Sequence, residues 1–191
     1  SDPSRNDSEI GAIGLCAIRC CRVLLKKNGD LAHPVISWMD KRLNSGYVHD
    51  DKYDDVQFVT TSSGYLTHRL TGQFKDTCAN YIGSWPMNND TGEWSTNPSD
   101  YEECGLTKEM LFGVVKPGEI LGEITQSAAE TTHLPVGIPV VATAHDKAVE
   151  ALGAGSLKEG TALISLGTYI CAMLNGGREN KMAQTFWPFQ A

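Results

Sequence analysis

Between Val140 and Leu174 the chain carries its tightest constraint on what it can fold into. Val140-Val-Ala-Thr143 is a short apolar run that reads as a buried strand, and Asp146 to Leu152 reads as a helix with Asp146 placed to cap its start. Gly153-Ala-Gly155 ends that helix, and Thr161-Ala-Leu-Ile-Ser165 opens another strand. Gly167-Thr168 then turns the chain tightly into Tyr169-Ile-Cys-Ala-Met-Leu174. Strand, helix and hairpin in this order predict an α/β domain, and no repeat of fixed period competes with that reading.

Upstream, Ile10–Cys16, Arg22–Lys26 and Pro34–Trp38 read as three strands. Asn28-Gly29 between them is a hairpin signal because both residues tolerate positive φ. Asp40 to Asp55 is polar and Asp-rich, which predicts a broken helix or a mobile loop. From Thr60 to Leu70 the apolar residues Tyr65, Leu66 and Leu70 fall near helical spacing, with a Thr/Ser cluster to cap the start and Gly72 to stop the end. Asn88 to Pro98 reads as a surface connection carrying Trp94. Lys108–Phe112 and Ser127–Thr132 are short helix candidates, and Lys116-Pro-Gly118 marks a turn.

Composition narrows the function class. The 191 residues are 41% apolar, enough to bury a core without disulfides or metal, and correspond to one domain or to one domain with part of another. Sixteen basic against 23 acidic side chains give a net charge of −7, with no Lys/Arg run, which argues against nucleic acid and anionic membranes as partners. No apolar run approaches the roughly 20 residues of a membrane span. Residues 1–9 are polar and lack the pattern of an export signal, so they read as a tail or scar ahead of a domain over 10–191. The six cysteines show no zinc spacing and are expected as reduced, buried thiols of a cytoplasmic protein.

Three places could carry chemistry. An Asp at the carboxyl end of a buried strand, opening a helix, stands where open α/β sheets place ligands. Asp146 there either caps the helix or serves as a general base or metal-bridging carboxylate, and the roles are compatible; His145 beside it could be an acid or base, or structural. Gly167-Thr168 offers backbone N–H groups and a hydroxyl to an anion, or is an ordinary hairpin turn. Trp38-Met-Asp-Lys-Arg42 combines a ring, a carboxylate and a guanidinium, suited to a sugar or to a core Trp with a surface ion pair. Neither a G-x-x-x-x-G-K-[ST] loop nor a G-x-G-x-x-G between strand and helix is present, so P-loop and Rossmann nucleotide binding lose support.

Taken in order, these motifs resemble the first domain of the FGGY carbohydrate kinases. The resemblance is carried by Ile13-Gly-Leu-Cys-Ala-Ile-Arg-Cys-Cys-Arg-Val-Leu-Leu with Asn28-Gly29, by Ile36-Ser-Trp-Met-Asp-Lys-Arg42, and by Tyr65-Leu-Thr-His-Arg-Leu-Thr-Gly72 with Thr91-Gly-Glu-Trp94. It continues through Gly137-Ile-Pro-Val-Val, His145-Asp-Lys-Ala-Val-Glu-Ala-Leu-Gly-Ala-Gly155 and Ser165-Leu-Gly-Thr168. It implies a ribonuclease-H-like α/β domain of the actin, hexokinase and Hsp70 kind, here partial, with a sugar or polyol in a cleft and ATP with Mg²⁺ as cofactors. It further implies Asp146 as catalytic base, Gly167 and Thr168 near the transferred phosphate, and Arg19, Cys20, Trp38 and Asp40, with Asp146, around the substrate. No residue is assigned as a dedicated metal ligand, and a homodimer is left open.

The chain also departs from the family. Where polyol-type members carry Gln-Arg-Glu, it has Ile18-Arg19-Cys20; the Arg42–Tyr65 stretch is short; and the family's N-terminal Asp-x-Gly-Thr hairpin is expected before Ile10 and its ATP-binding lobe after Ala191. The 191 residues alone are therefore expected to be inactive. A catalytically inactive, kinase-like sugar-binding or regulatory domain is the competing reading.

Overall fold

The computed structural model describes residues 10–53, 55–167 and 170–174, so the polar tail and Thr168 lie outside the described residues. In chain order the elements are β1 (Ile13–Leu15), β2 (Val23–Leu25), β3 (Phe58–Thr60), α1 (Ser62–Thr71), β4 (Lys75–Thr77), β5 (Met87–Asn88), β6 (Glu93–Trp94) and α2 (Pro98–Cys104). They continue through β7 (Gly113–Val115), β8 (Ile120–Glu123), α3 (Gln126–Thr132), β9 (Pro139–Ala142), α4 (Asp146–Gly153), β10 (Ala162–Leu166) and β11 (Ile170–Leu174). The described residues of the polar stretch after Asp40 hold two 3₁₀ turns, Lys41–Asn44 and Asp51–Tyr53, in keeping with a broken helix.

The strand that anchors the sequence reading, β9, is the centre of a three-stranded sheet ordered β1-β9-β8. It runs parallel to β1, with Ile13 opposite Val140 and Leu15 opposite Ala142, and antiparallel to β8. Val140 and Ala142 point into a cluster with Leu121, Ile124 and Ala128, while Pro139 and Val141 are half-buried. Burying a Val or Leu side chain in such a cluster contributes about 1.5–3 kcal/mol. The packing therefore fixes the end of β9, and the loop that follows it, against β1.

The Asn28-Gly29 turn forms as expected. Gly29 adopts φ +85, its N–H donates to the Lys26 carbonyl at 3.0 Å, and the Lys26 N–H donates to the Asp30 carbonyl at 2.9 Å. A Cβ at Gly29 would sit 1.8 Å from His68 Nε2, so Gly29→Ala combines a disfavoured φ with a clash and is expected to cost about 2 kcal/mol or more in chemical denaturation. The third strand expected at Pro34–Trp38 does not form. The chain returns beside β2 through two isolated bridges, Leu25 with Leu31 and Arg22 with Ile36. Pro34 between them has no N–H to continue the ladder.

Helix α1 ends at Gly72 as expected, but it buries a different face. Ser63, Gly64, Thr67 and Thr71 are covered, whereas Leu66 is exposed. The Thr/Ser cluster does not cap the helix either. Thr61 Oγ1 donates to Asp76 Oδ2 at 2.7 Å, Ser63 Oγ donates to both Asp76 oxygens, and the Thr77 N–H donates to Asp76 Oδ1 at 2.7 Å. Thr60 shares a 2.7 Å hydrogen bond with the Tyr81 hydroxyl beside them. Trp94, expected on a surface connection, packs on Tyr81 at 4.9 Å and donates its indole N–H to the Phe112 carbonyl at 2.7 Å.

Candidate functional site

Parallel pairing brings the carboxyl ends of β1 and β9 side by side, and the Thr143 hydroxyl staples them by donating to the Leu15 carbonyl at 2.6 Å. Three residues later α4 begins. Its cap is His145 rather than Asp146: His145 is buried, and its Nδ1 accepts the Ala148 N–H at 3.4 Å. The sequence expectation that Asp146 caps the helix is corrected accordingly. Asp146 is instead the first helical residue and half-buried. The positive end of the α4 dipole favours its negative charge.

Burial, reinforced by the positive charge of Arg19, pushes the His145 imidazole down to about 4. It is therefore neutral at physiological pH, as an Nδ1 acceptor must be. Because the folded value lies below the ordinary 6.5, the stability His145 contributes is complete above that pH and is lost as pH falls toward 4. His145→Asn keeps a capping side chain and is expected to remove this part of the acid destabilisation, read as a smaller fall in melting temperature between pH 7 and pH 4.5. An unchanged pH dependence would exclude His145 as its source. Across the staple, partial desolvation and then the negative charge of Asp146 raise the Cys16 thiol.

The other candidates fall into three groups. Arg19, half-buried in the β1–β2 connection, lies close enough to disfavour protonation of His145, the residue before Asp146. Cys20 is exposed with φ +67, and the connection is pinned by the Ser62 hydroxyl donating to the Ile18 carbonyl at 2.7 Å. Trp38 and Asp40 instead follow the Ile36 bridge to β2. Trp38 is half-buried, while Asp40 makes a two-pronged pair with Arg42 at 3.0 and 2.7 Å, whose hydrogen bonds hold its carboxyl down to about 2. The surface ion pair allowed for in the sequence is thus present. Of the cysteines, Cys21 and Cys78 are buried as expected, but Cys16 and Cys20 are exposed.

Gly167 is exposed directly after β10, at the turn of the hairpin whose last described pair is Leu166 with Ile170. The Thr168 assignment falls outside the described residues. One feature of this region was not anticipated. Lys147, next to Asp146, pairs with Glu150 at 2.8 Å and with Ser165 Oγ of β10 at 3.0 Å. The Lys147-x-x-Glu150 spacing on a helix signals the ion pair, but nothing local signals Ser165 as the third member.

Among the described residues no group of three or more His, Cys, Asp or Glu side chains converges on a metal position. Mg²⁺ in phosphoryl transfer is held largely by phosphate oxygens and water with one or two carboxylates. The half-exposed Asp146 is compatible with such a demand. No helix among the described residues is long and apolar enough to cross a membrane.

Residues 47–153, which contain α1 and Asp146, match the N-terminal domain of the FGGY family of carbohydrate kinases. The chain belongs to that family. It is 50% identical over 186 residues to the uncharacterized sugar kinase YgcE of Escherichia coli (strain K12), covering 97% of this chain and 37% of that relative. It is 25% identical to L-fuculokinase of the same organism, covering 81% of this chain and 39% of the relative. Xylulose kinase from Rhodospirillum rubrum superposes with a TM-score of 0.73 at 20% identity, over 85% of this chain and 41% of that one. Plasmodium falciparum glycerol kinase with ADP does so with a TM-score of 0.69 at 15% identity, over 87% and 40%. The fold is thus that of the actin, hexokinase and Hsp70 ATPase superfamily, present as a partial domain, and the chain spans well under half the length of these relatives.

Proposed function

We propose that the whole protein is an ATP-dependent carbohydrate kinase in which Asp146 is the catalytic base. The observation that carries this reading is the position of Asp146, at the first turn of α4 beyond the carboxyl ends of two parallel strands, within the segment that matches the FGGY family. On this reading residues 10–191 supply the sugar-binding, base-carrying domain. On the same reading the ATP-binding lobe lies in the rest of the whole protein, since this chain spans 37% of the YgcE relative's length.

ATP would supply the transferable phosphoryl group, and Mg²⁺, when bound, would balance its negative charge. The remaining work falls to the chain. Phosphoryl transfer is governed by alignment and charge stabilisation, so Asp146 must reach the substrate hydroxyl rather than be strongly basic. It takes up the hydroxyl proton as the substrate oxygen bonds to the γ-phosphorus and the bond to the ADP oxygen breaks. Gly167, exposed at its turn, lets a phosphate approach the backbone closely, with Thr168 adding a hydroxyl. On this reading Arg19, Cys20, Trp38 and Asp40 are the residues that contact the sugar.

The test is ADP formation by the whole protein with xylulose, fuculose, gluconate and glycerol, the substrate types suggested by the names of related enzymes. ATP consumption that depends on one of them supports the reading. One observation favours a second reading, a kinase-like domain that binds sugar without turnover: Ile18 and Cys20 are exposed beside Arg19 and present neither amide nor carboxylate. Sugar binding by calorimetry without any ADP release would select it.

A further inference from the structure

The β10–β11 hairpin has two unlike faces. Ala162, Ile164, Leu166, Ile170, Ala172 and Leu174 are exposed on one, while Leu163, Ser165, Cys171 and Met173 are half-buried on the other. Ser165 is the hydroxyl on the half-buried face, directly opposite Cys171 in the antiparallel register. It is held from α4 by two side chains at once. Lys147 Nζ donates to Ser165 Oγ at 3.0 Å, and Ser165 Oγ donates to Glu150 Oε2 at 2.9 Å. The ring closes through Lys147 Nζ, which donates to both Glu150 oxygens at 2.8 and 3.0 Å.

The placement of this ring matters more than its strength. Lys147 directly follows Asp146, and Ser165 lies two residues before Gly167. An isolated pair at a surface is worth little. This one spans two elements, with the Lys147 side chain 22% and the Glu150 side chain 45% exposed. It therefore sets where the Gly167 turn stands relative to the first turn of α4. Misplacing two reacting groups by about 1 Å costs phosphoryl transfer far more than it costs folding.

We propose that Lys147, Glu150 and Ser165 form a positioning latch that holds the β10–β11 hairpin, and with it the Gly167 turn, in place against the first turn of α4, and that phosphoryl transfer requires the latch closed. The catalytic half of this rests on reading Asp146 as the base. In the whole protein, Ser165→Ala and Lys147→Met are each expected to lower kcat about ten-fold while the sugar KM stays within about two-fold, and the double variant should be no worse than either single. Ser165→Thr keeps the hydroxyl and should retain kcat.

A second measurement needs no substrate. Cys171 is labelled with N-ethylmaleimide and followed by peptide mass spectrometry, with Cys78, buried in a separate cluster, as the reference. Opening the latch in Ser165→Ala should speed Cys171 labelling about five-fold or more with Cys78 unchanged. Unchanged Cys171 labelling overturns the latch, and so does an equal rise at Cys78, which would mean general loosening. Turnover unaffected by either single variant overturns its catalytic role. Faster Cys171 labelling in a protein that phosphorylates no sugar leaves the latch standing and overturns the proposed reaction instead.

Discussion

Asp146→Asn in the whole protein is expected to lose about 10²–10⁴-fold in kcat while binding sugar within about three-fold of the native protein. The substitution preserves shape at the first position of α4 and removes the negative charge, and with it the ability to take a proton. His145, not Asp146, holds the cap. Helix start and fold are therefore expected to survive, apart from about 0.3–1 kcal/mol for the lost charge at the helix N-terminus. Steady-state kinetics with the best sugar of the panel, alongside a melting curve, checks both halves. Turnover near the native rate would remove Asp146 as the base, and loss of sugar binding would make it a substrate ligand first.

The second large effect lies away from the site. Asp76→Leu is expected to destabilise the fold by about 3–5 kcal/mol, because it removes the carboxylate that two hydroxyls and a backbone N–H donate to. Asp76 is fully buried and accepts from Thr61, Ser63 and the Thr77 backbone, at the junction of α1 with β4. Gly64 shows how closely these parts pack, since a Cβ there would lie 2.1 Å from Thr60 Oγ1 and 3.0 Å from Asp76 Oδ2. Urea denaturation gives the difference, and a loss below about 1 kcal/mol would show that the network is replaceable. Burial outweighs these donors and raises the Asp76 carboxyl above its ordinary value. Its contribution is thus complete below the ordinary carboxylate range and is lost as pH rises through the folded value. Asp76→Asn should flatten that dependence.

Much of the site could be read locally. The end of β9, the start of α4 and the Asn28-Gly29 turn each rest on a few adjacent residues whose backbone preferences agree, and all three form. The reading failed where a residue's role depended on something distant. Thr61 and Ser63 look like a helix cap in sequence, but Asp76 offers their hydroxyls a buried carboxylate. Leu66 has helical spacing for a core position, yet α1 packs so closely on β4 and β8 that small and hydroxyl side chains occupy its inner face. His145 took the cap expected of Asp146 because burial beside Arg19 keeps its ring neutral and able to accept.

The sequence by itself determined the α/β class, the family and the small set of residues in which the base is to be sought. Those follow from the order of short motifs along the chain, which needs no knowledge of what touches what. Only the tertiary structure decided which residue caps α4, that Arg19 acts on His145 while Asp40 is tied to Arg42, and that Lys147 and Glu150 reach Ser165 across to the hairpin. The physical reason is that hydrogen bonds and charges act over a few ångströms in space, and here they join residues as far apart in sequence as Leu15 and Thr143.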